Sequence, residues 1–526
     1  MKANMLVTLL AAWLLLDDYP RQAGVDVVAY QVVLDVDVEH AELKCRASIE
    51  IAVDRALRQL RLDYEGPALE QLSVDQTTAA AELRGAELVI PVSESQAADG
   101  RLTVAARYRG RPRSGFYFAE TTHQRKVAYT DCWPQRARGW LPCIDHPCDR
   151  AQLELCIRAP AALAVAANGA EVATLSLPDQ RTEHRFRQQL PIATYLFAVA
   201  VGPLEATAHH LESFDQRQLP VITLTYPEEH DAAITGFAPT ARVLDTLEGM
   251  LGRYPFAKLE IVQIPTRFGG MENASCIFLN ERCLASHEPL LPLIAHEVAH
   301  QWFGDLIGLA DWGELWLSEG FATYCTVLVQ EKQDGHDALV REMRRHLSAL
   351  LADDEMRRRS IRDRHVQDPE VELNSLNYGK GAFVLHMLRH RLGEDAFFRT
   401  LREHVATNAG RVITTEDFRR VAEHVSGKDL QAFFAQWIDR AGYPELRVAK
   451  HLAARDQKLV LVIDVEQTQP GEPFDLDLGV TIDATAHRAV ALVDGQRHGT
   501  FELPIDRPPK SVTFNDDAWL LASIEE

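Results

Sequence analysis

The sequence has no basic excess. Its 526 residues carry 55 lysines and arginines against 76 aspartates and glutamates, for a formal net charge of −21. A nucleic-acid binder would show a clustered basic face, so this balance argues against that class of partner. Paired cysteines are also missing. None of Cys45, Cys132, Cys143, Cys148, Cys156, Cys276, Cys283 and Cys325 forms a Cys-x-x-Cys, so neither a zinc knuckle nor a thioredoxin-like site is indicated. Disulfides among the four cysteines from Cys132 to Cys156 and buried free thiols stand as equal readings. No low-complexity run or internal repeat stands out. Long apolar runs are absent too. Met5 to Leu16 is twelve residues broken only by Thr8, too short to span a bilayer but the right length for a signal-peptide core. Lys2 precedes it, yet no Ala-x-Ala follows, and Asp17, Asp18 and Pro20 come at once. Residues 1–23 are expected to be a signal or anchor segment, which makes the chain periplasmic, secreted or N-terminally anchored. A cytoplasmic chain is the alternative.

Hydrophobic residues make up 46% and charged residues 25%, an ordinary globular balance, and the length leaves room for about three domains. From residue 24 to 205 the pattern has period two. Tyr30, Val32, Leu34, Val36 and Val38 alternate with polar residues, as do Leu43, Cys45, Ala47, Ile49, Ile51 and Val53. That alternation predicts half-buried antiparallel strands forming a β-saddle or sandwich. Inside it, residues 130–147 hold two tryptophans, three prolines and several charges. Such a stretch is either a functional loop or a structural one packed by its own tryptophans. From 206 to 441 the character changes. Ala232–Leu251 reads as a helix, Leu259–Ile264 as a buried strand, and Leu339–Leu351 and Ala382–Leu392 as amphipathic helices. Residues 442–526 return to period two, with Leu459 to Val465 and Phe474 to Ile482 as strands of a C-terminal β-sandwich. The fold class expected is multidomain α+β.

The chemistry is concentrated in residues 293–324, which open with His296-Glu297-Val298-Ala299-His300. Residues four apart share a helix face, so His296 and His300 can point two imidazoles at one metal ion. Glu297 sits about 100° round the helix, placed to take a proton from a water rather than to bind the metal. A catalytic zinc usually has a third protein ligand, and Glu319 supplies the candidate. Gly304, Gly308 and Gly313 punctuate the interval, so the first helix is expected to end near Gly304. A second, from about Glu314 towards Val329, would fold back and bring Glu319 to the ion. Upstream, Gly269-Gly270-Met271-Glu272 pairs a backbone able to approach a ligand with a carboxylate. Taken alone, Glu272 reads more readily as a solvated charge. Tyr378, ahead of the helix at 382, is either surface packing or a phenol aimed into the cleft to stabilise an oxyanion.

Together these pieces resemble the aminopeptidase N and leukotriene hydrolase family of zinc aminopeptidases, which are gluzincin metallopeptidases. The resemblance rests on Gly-Gly-Met-Glu-Asn at 269–273, His-Glu-Val-Ala-His-Gln-Trp-Phe-Gly at 296–304, Leu-Trp-Leu-x-Glu-Gly-Phe-Ala at 315–322 and Tyr-x-Lys-Gly-Ala at 378–382. It implies a saddle-like N-terminal domain, a thermolysin-like catalytic domain and a third, β-sandwich domain. Most members add a C-terminal helical domain, for which this chain looks too short. The resemblance implies that one zinc is held by His296, His300 and Glu319, with Glu297 as general base and Tyr378 as the transition-state tyrosine. Gly269, Gly270 and Met271 would lie along the substrate backbone, and Glu272 would hold its free α-amine. Departures from the family pattern are Asp305 and Ser318, where asparagine is common, and Asp131 near the place of an amine-holding glutamine.

The expected function is therefore hydrolysis of the N-terminal residue from peptides with a free N-terminus, with no nucleic acid and no obligate protein partner. The rivals are a thermolysin-like endopeptidase, which has no use for Glu272; an epoxide hydrolase, by family analogy alone; and a non-catalytic interaction protein that kept the fold.

Overall fold

Period-two alternation in the first third of the chain becomes strand pairing. In the computed structural model, which describes residues 17–212, 217–362, 366–456, 458–484 and 486–526, Val25–Asp37 pairs antiparallel with Glu42–Val53 and parallel with Ala151–Pro160. Among the described residues these strands belong to an eight-stranded sheet. Its inward set, including Leu34, Ile49 and Ile51, is buried, as the alternation requires. A second sheet of four strands contains Lys126–Asp131 and Val199–Gly202. The segment after Asp131 is packed by one of its own tryptophans and borders a cavity with the other. Trp140 is fully buried, with its Nε1 on Cys132 Sγ and its carbonyl taking the Tyr108 hydroxyl, while Trp133 faces the site described below. All eight cysteines are free.

The apolar stretch Met5–Leu16, read as a signal or anchor core, lies outside the described residues. Residues 17–23, assigned to the same segment, are built into the protein. Asp17 pairs with Arg21 and His146, and the Tyr19 hydroxyl donates to Asp63.

The middle of the chain starts from a five-stranded sheet among the described residues, in which Gly270–Met271 is the edge strand, antiparallel to Cys276–Asn280. Helices follow. The single helix expected over 232–251 is two: α1 (His230–Phe237) and α2 (Thr240–Leu251). Pro239 between them lacks the amide that a continuous helix needs. Then come α3 (Leu291–His300), α4 (Trp316–Asp334), α5 (His336–Leu351) and α6 (Gly381–Leu392). The first metal helix stops at His300, four residues before Gly304, and the second starts at Trp316 and runs five residues past Val329. Helices α4 and α6 cross with their backbones touching. A Cβ built on Gly320 would lie 2.9 Å from the Gly381 Cα, so glycine is needed on both sides. The last part of the chain forms a four-stranded sheet, including Lys458–Gln467, and a three-stranded sheet around Leu476–Ile482, counted among the described residues. No helix among the described residues is long and apolar enough to cross a membrane.

Candidate metal centre

Helix α3 places His296 and His300 one turn apart, and α4 lays Glu319 against them. The Nε2 atoms of the two histidines are 3.1 Å apart, and each lies 3.3 Å from Glu319 Oε2. A tetrahedral zinc at its usual ligand distance of about 2.0–2.1 Å would hold its ligand atoms about 3.3 Å apart. The triangle fits that ion. Glu319 Oε2 is buried, with no hydrogen bond to it among the described residues, which leaves it free for an ion.

The electrostatics ask for a cation. Burial opposes charge on His300, but Glu319, Glu272 and Glu297 around it push its pKa up to about 10. Burial likewise opposes charge on Glu319, yet His300 and His296 hold its carboxyl well below the usual range. A divalent cation satisfies the same field without a protonated imidazole, and metal ligation needs that imidazole neutral.

The orientation of His300 is set by its other nitrogen. Nδ1 lies 3.1 Å from the Phe303 carbonyl and 3.0 Å from Ser318 Oγ, so Nε2 is left facing the ion, the arrangement that fixes a ligating histidine. Ser318, in a place where the resembled family commonly has asparagine, thus still serves the site. Asp305 is fully buried and close enough to feel His300, but neither carboxylate oxygen has a hydrogen bond among the described residues. Burial raises its pKa well above the ordinary range.

Glu297 is buried on the same helix, its carboxyl raised well above the ordinary range by burial and then by Glu272 and Glu319, against the pull of His300. Burial also raises Glu272. This second carboxylate is held through its own backbone. Gln301 Nε2 donates to the Glu272 carbonyl at 2.8 Å, and Gln301 Oε1 takes the Ser275 amide and the Tyr254 hydroxyl. Tyr378 sits in a π-helical turn, Leu376–Lys380, that leads into α6. Its ring stacks on that of His296, 5.9 Å between centroids and 10° between planes. Burial and then Glu319 hold its hydroxyl proton far above the ordinary range, so it remains a donor. A π-turn shifts the following residues by one position and is frequent at functional sites.

One cavity of about 220 Å³ is lined by all nine residues that the sequence singled out: Gly269, Gly270, Met271, Glu272, His296, Glu297, His300, Glu319 and Tyr378. Three more side chains complete its wall. Trp133 meets Phe268 edge to face at 5.7 Å, and Leu373 is the third. The sequence marks the Trp133 loop as unusual without giving it a role, and it gives no sign of Leu373, because no local pattern distinguishes an isolated leucine in a turn. Asp131 is not in that wall. It is buried and paired to Arg267, Nε to Oδ2 at 3.0 Å.

Fold and site together define a multidomain α/β protein with a two-histidine, one-glutamate metal centre. The description Peptidase M1 N-terminal domain matches residues 27–196, and Peptidase family M1 domain matches residues 237–437. The two matches cover well over half of the sequence, and the chain belongs to the M1 peptidase family. Similar proteins include aminopeptidase A of Gloydius brevicauda, 26% identical over 75% of this chain and 43% of its own length. A probable aminopeptidase 2 of Sulfurisphaera tokodaii is 26% identical over 81% of this chain and 55% of its own length. The chain spans about half the length of these curated relatives. Among solved structures, Legionella pneumophila aminopeptidase A in complex with aspartic acid shares the fold, with a TM-score of 0.83 over 97% of this chain and 60% of that one, at 18% identity. A mutant M1 zinc metallopeptidase of Deinococcus radiodurans bound to a Tyr-Ser-Ala substrate has a TM-score of 0.70 at 25% identity, over 80% of this chain and 96% of that one.

Proposed function

We propose that this chain is a zinc-dependent aminopeptidase that removes the N-terminal residue from peptides with a free amino terminus. One observation carries the reading. The cavity that holds the metal triangle also holds two further buried carboxylates, Glu297 and Glu272, where a metal hydrolase acting on internal bonds needs only one.

His296, His300 and Glu319 would hold one zinc ion, which supplies Lewis acidity to the scissile carbonyl and makes water more acidic. The chain's own groups do the rest. Glu297, raised by its surroundings, accepts a proton from the attacking water and delivers it to the leaving amine. Tyr378 donates a hydrogen bond to the carbonyl oxygen as negative charge develops there, an interaction that strengthens mainly in the transition state. Gly270–Met271, with Gly269 leading into it, is an edge strand of its sheet, and its outer side is able to pair with an extended substrate. Glu272 meets the substrate's ammonium. A buried carboxylate rewards a terminal ammonium and leaves an internal peptide bond without a partner.

The same reading divides the chain into an N-terminal β-saddle domain at 24–205, a thermolysin-like catalytic domain at 206–441 and a β-sandwich at 442–526. It keeps residues 1–23 as an export or anchor segment, of which residues 17–23 pack on the folded chain. It calls for neither nucleic acid nor an obligate protein partner.

The test is fluorophore release from aminoacyl amides, with and without chelator, beside the same compounds N-acetylated. Chelator-sensitive cleavage of the free-amine forms alone is expected. Cleavage of blocked peptides would make the protein an endopeptidase. Tight zinc binding with no cleavage at all would point to an interaction protein.

A further inference from the structure

Residues 17–21 lie across the seam between the N-terminal strands and the helical part of the chain. On one side the Tyr19 hydroxyl donates to Asp63, and Gln22, next along, bonds the Gln59 carbonyl. On the other side Asp17 forms a parallel bridge with Val366, and Arg21 Nη2 lies 3.0 Å from Asp311 Oδ2.

This strap closes over His146, whose side chain has no exposed surface. The Nδ1 of that ring accepts the Cys148 amide at 3.2 Å, so Nε2 carries the proton and donates to Asp17 at 2.6 Å. Tyr19 stacks on the imidazole, 4.6 Å between centroids. Asp17 is held in turn by Arg21 at 2.8 Å. A buried polar network of this kind fixes one geometry, because removing a member leaves its partners desolvated and unpaired.

Two contacts carry that geometry to Trp312. Arg21 holds Asp311, whose other oxygen accepts the Gly313 amide at 2.9 Å and so caps the turn Trp312–Glu314. The His146 ring meets Trp312 edge to face at 6.3 Å, and Trp312 meets Trp133 in the same way at 5.7 Å. Trp312 is buried, and its Nε1 has no hydrogen-bond partner among the described residues. A buried indole usually finds one. The orientation of Trp312 therefore depends on the rings around it, and His146 under the strap is one of them. Trp133, at the end of this line, is a wall of the metal cavity.

Resting on the aminopeptidase reading, we infer that the strap at 17–21 is a specificity element: through His146 and Trp312 it fixes the Trp133 wall, and so sets how the cavity grips a large N-terminal side chain. Arg21, Tyr19 and His146 are positioning residues, and none of them lines the cavity. Glu319 is registered separately, by the close crossing of Gly320 on α4 with Gly381 on α6. The effect of the strap therefore falls on KM for large side chains and spares kcat.

The experiment compares KM and kcat for leucine and alanine para-nitroanilide, using the zinc-loaded full chain. Arg21→Gln is expected to raise KM for the leucine compound about threefold or more, with KM for the alanine compound and both kcat values within about twofold of the wild type. Arg21→Lys should restore part of the difference. Tyr19→Leu unstacks His146 and leaves the ion pairs of Arg21 in place; it should shift the same ratio, so the test does not depend on one variant folding. On a Trp133→Phe background, Arg21→Gln should change the leucine-to-alanine ratio little further, because residues that act through one another do not add. A lowered melting temperature with an unmoved ratio would make the strap a stabilising element only and overturn the inference. Additive effects of Arg21→Gln and Trp133→Phe would overturn it as well, and in either case hydrolysis of the anilides would uphold the parent reading. Failure of the wild type to hydrolyse either anilide would remove both.

Discussion

The Cα of Gly270 lies against the carboxylate of Glu297. A Cβ built there would sit 2.1 Å from Glu297 Oε1 and 2.4 Å from its Cδ. Gly269 beside it has nothing within 4 Å of such an atom. Of the glycine pair, one makes room for the proposed base and the other opens on the cavity. Gly270→Ala should therefore displace Glu297 and cut kcat by about tenfold or more, while Gly269→Ala leaves kcat within about twofold. Circular dichroism should show both variants folded; equal kcat values would refute the distinction.

Glu297→Gln keeps the shape of the side chain and removes its capacity to take a proton. Turnover should fall at least about a hundredfold, the lower range for loss of a general base. Zinc content by atomic absorption should stay at one ion per chain, since Glu297 is not one of the three ligands.

Tyr378→Phe retains the ring that stacks on His296 and deletes the donor. Loss of such a donor typically costs about 10²–10³ in rate. The loss should appear in kcat, with KM little changed, because the bond forms mainly in the transition state. A near-normal kcat would remove Tyr378 from the mechanism.

Glu272→Gln should weaken discrimination between free-amine and N-acetylated substrates. The variant is expected to raise KM for free-amine substrates by about tenfold or more and to narrow the ratio of kcat/KM between the two classes. An unchanged ratio would remove Glu272 from substrate recognition.

Acid should destabilise the fold through two histidines outside the site. Burial pushes His386 and His404 down to about 3. In the unfolded chain each takes up its proton near pH 6.5. Stability from this source is complete above about pH 6.5 and falls as pH drops towards 3, by about 2 kcal/mol per histidine at pH 5. Urea denaturation at pH 7.5 and pH 5 should show it, and His404→Gln should lose less stability across that interval than the wild type.

What the sequence disclosed follows from what is local. Strand alternation, the two-histidine turn and the four motifs each lie within short windows, so the elements and the nine cavity residues could be named in advance. The misplacements are also local in origin. Apolar spacing over 232–251 continues through Pro239, so periodicity joined two helices that the missing amide separates. Glycines at 304–313 drew the first helix four residues too far. Gln301 and Ser318 were not legible. Their value depends on Tyr254, the Glu272 carbonyl and the Phe303 carbonyl, groups up to 47 residues away or brought together only by the fold. Asp131, which falls near the place of an amine-holding glutamine in the resembled family, is paired with Arg267 from the segment just ahead of Gly269.

The glycine-to-glycine crossing of α4 and α6 means that Glu319 and Tyr378 are registered by main chain, not by the side chains around them. The proposed zinc ligand and the proposed oxyanion donor are in effect mounted on a single bracket. Walls such as Trp133, Phe268 and Leu373 can then be exchanged to alter which residue is admitted, while the spacing between ligand and donor stays fixed. For anyone retargeting this scaffold, Gly320 and Gly381 are the positions to leave alone, and the cavity lining is the part that can be rewritten.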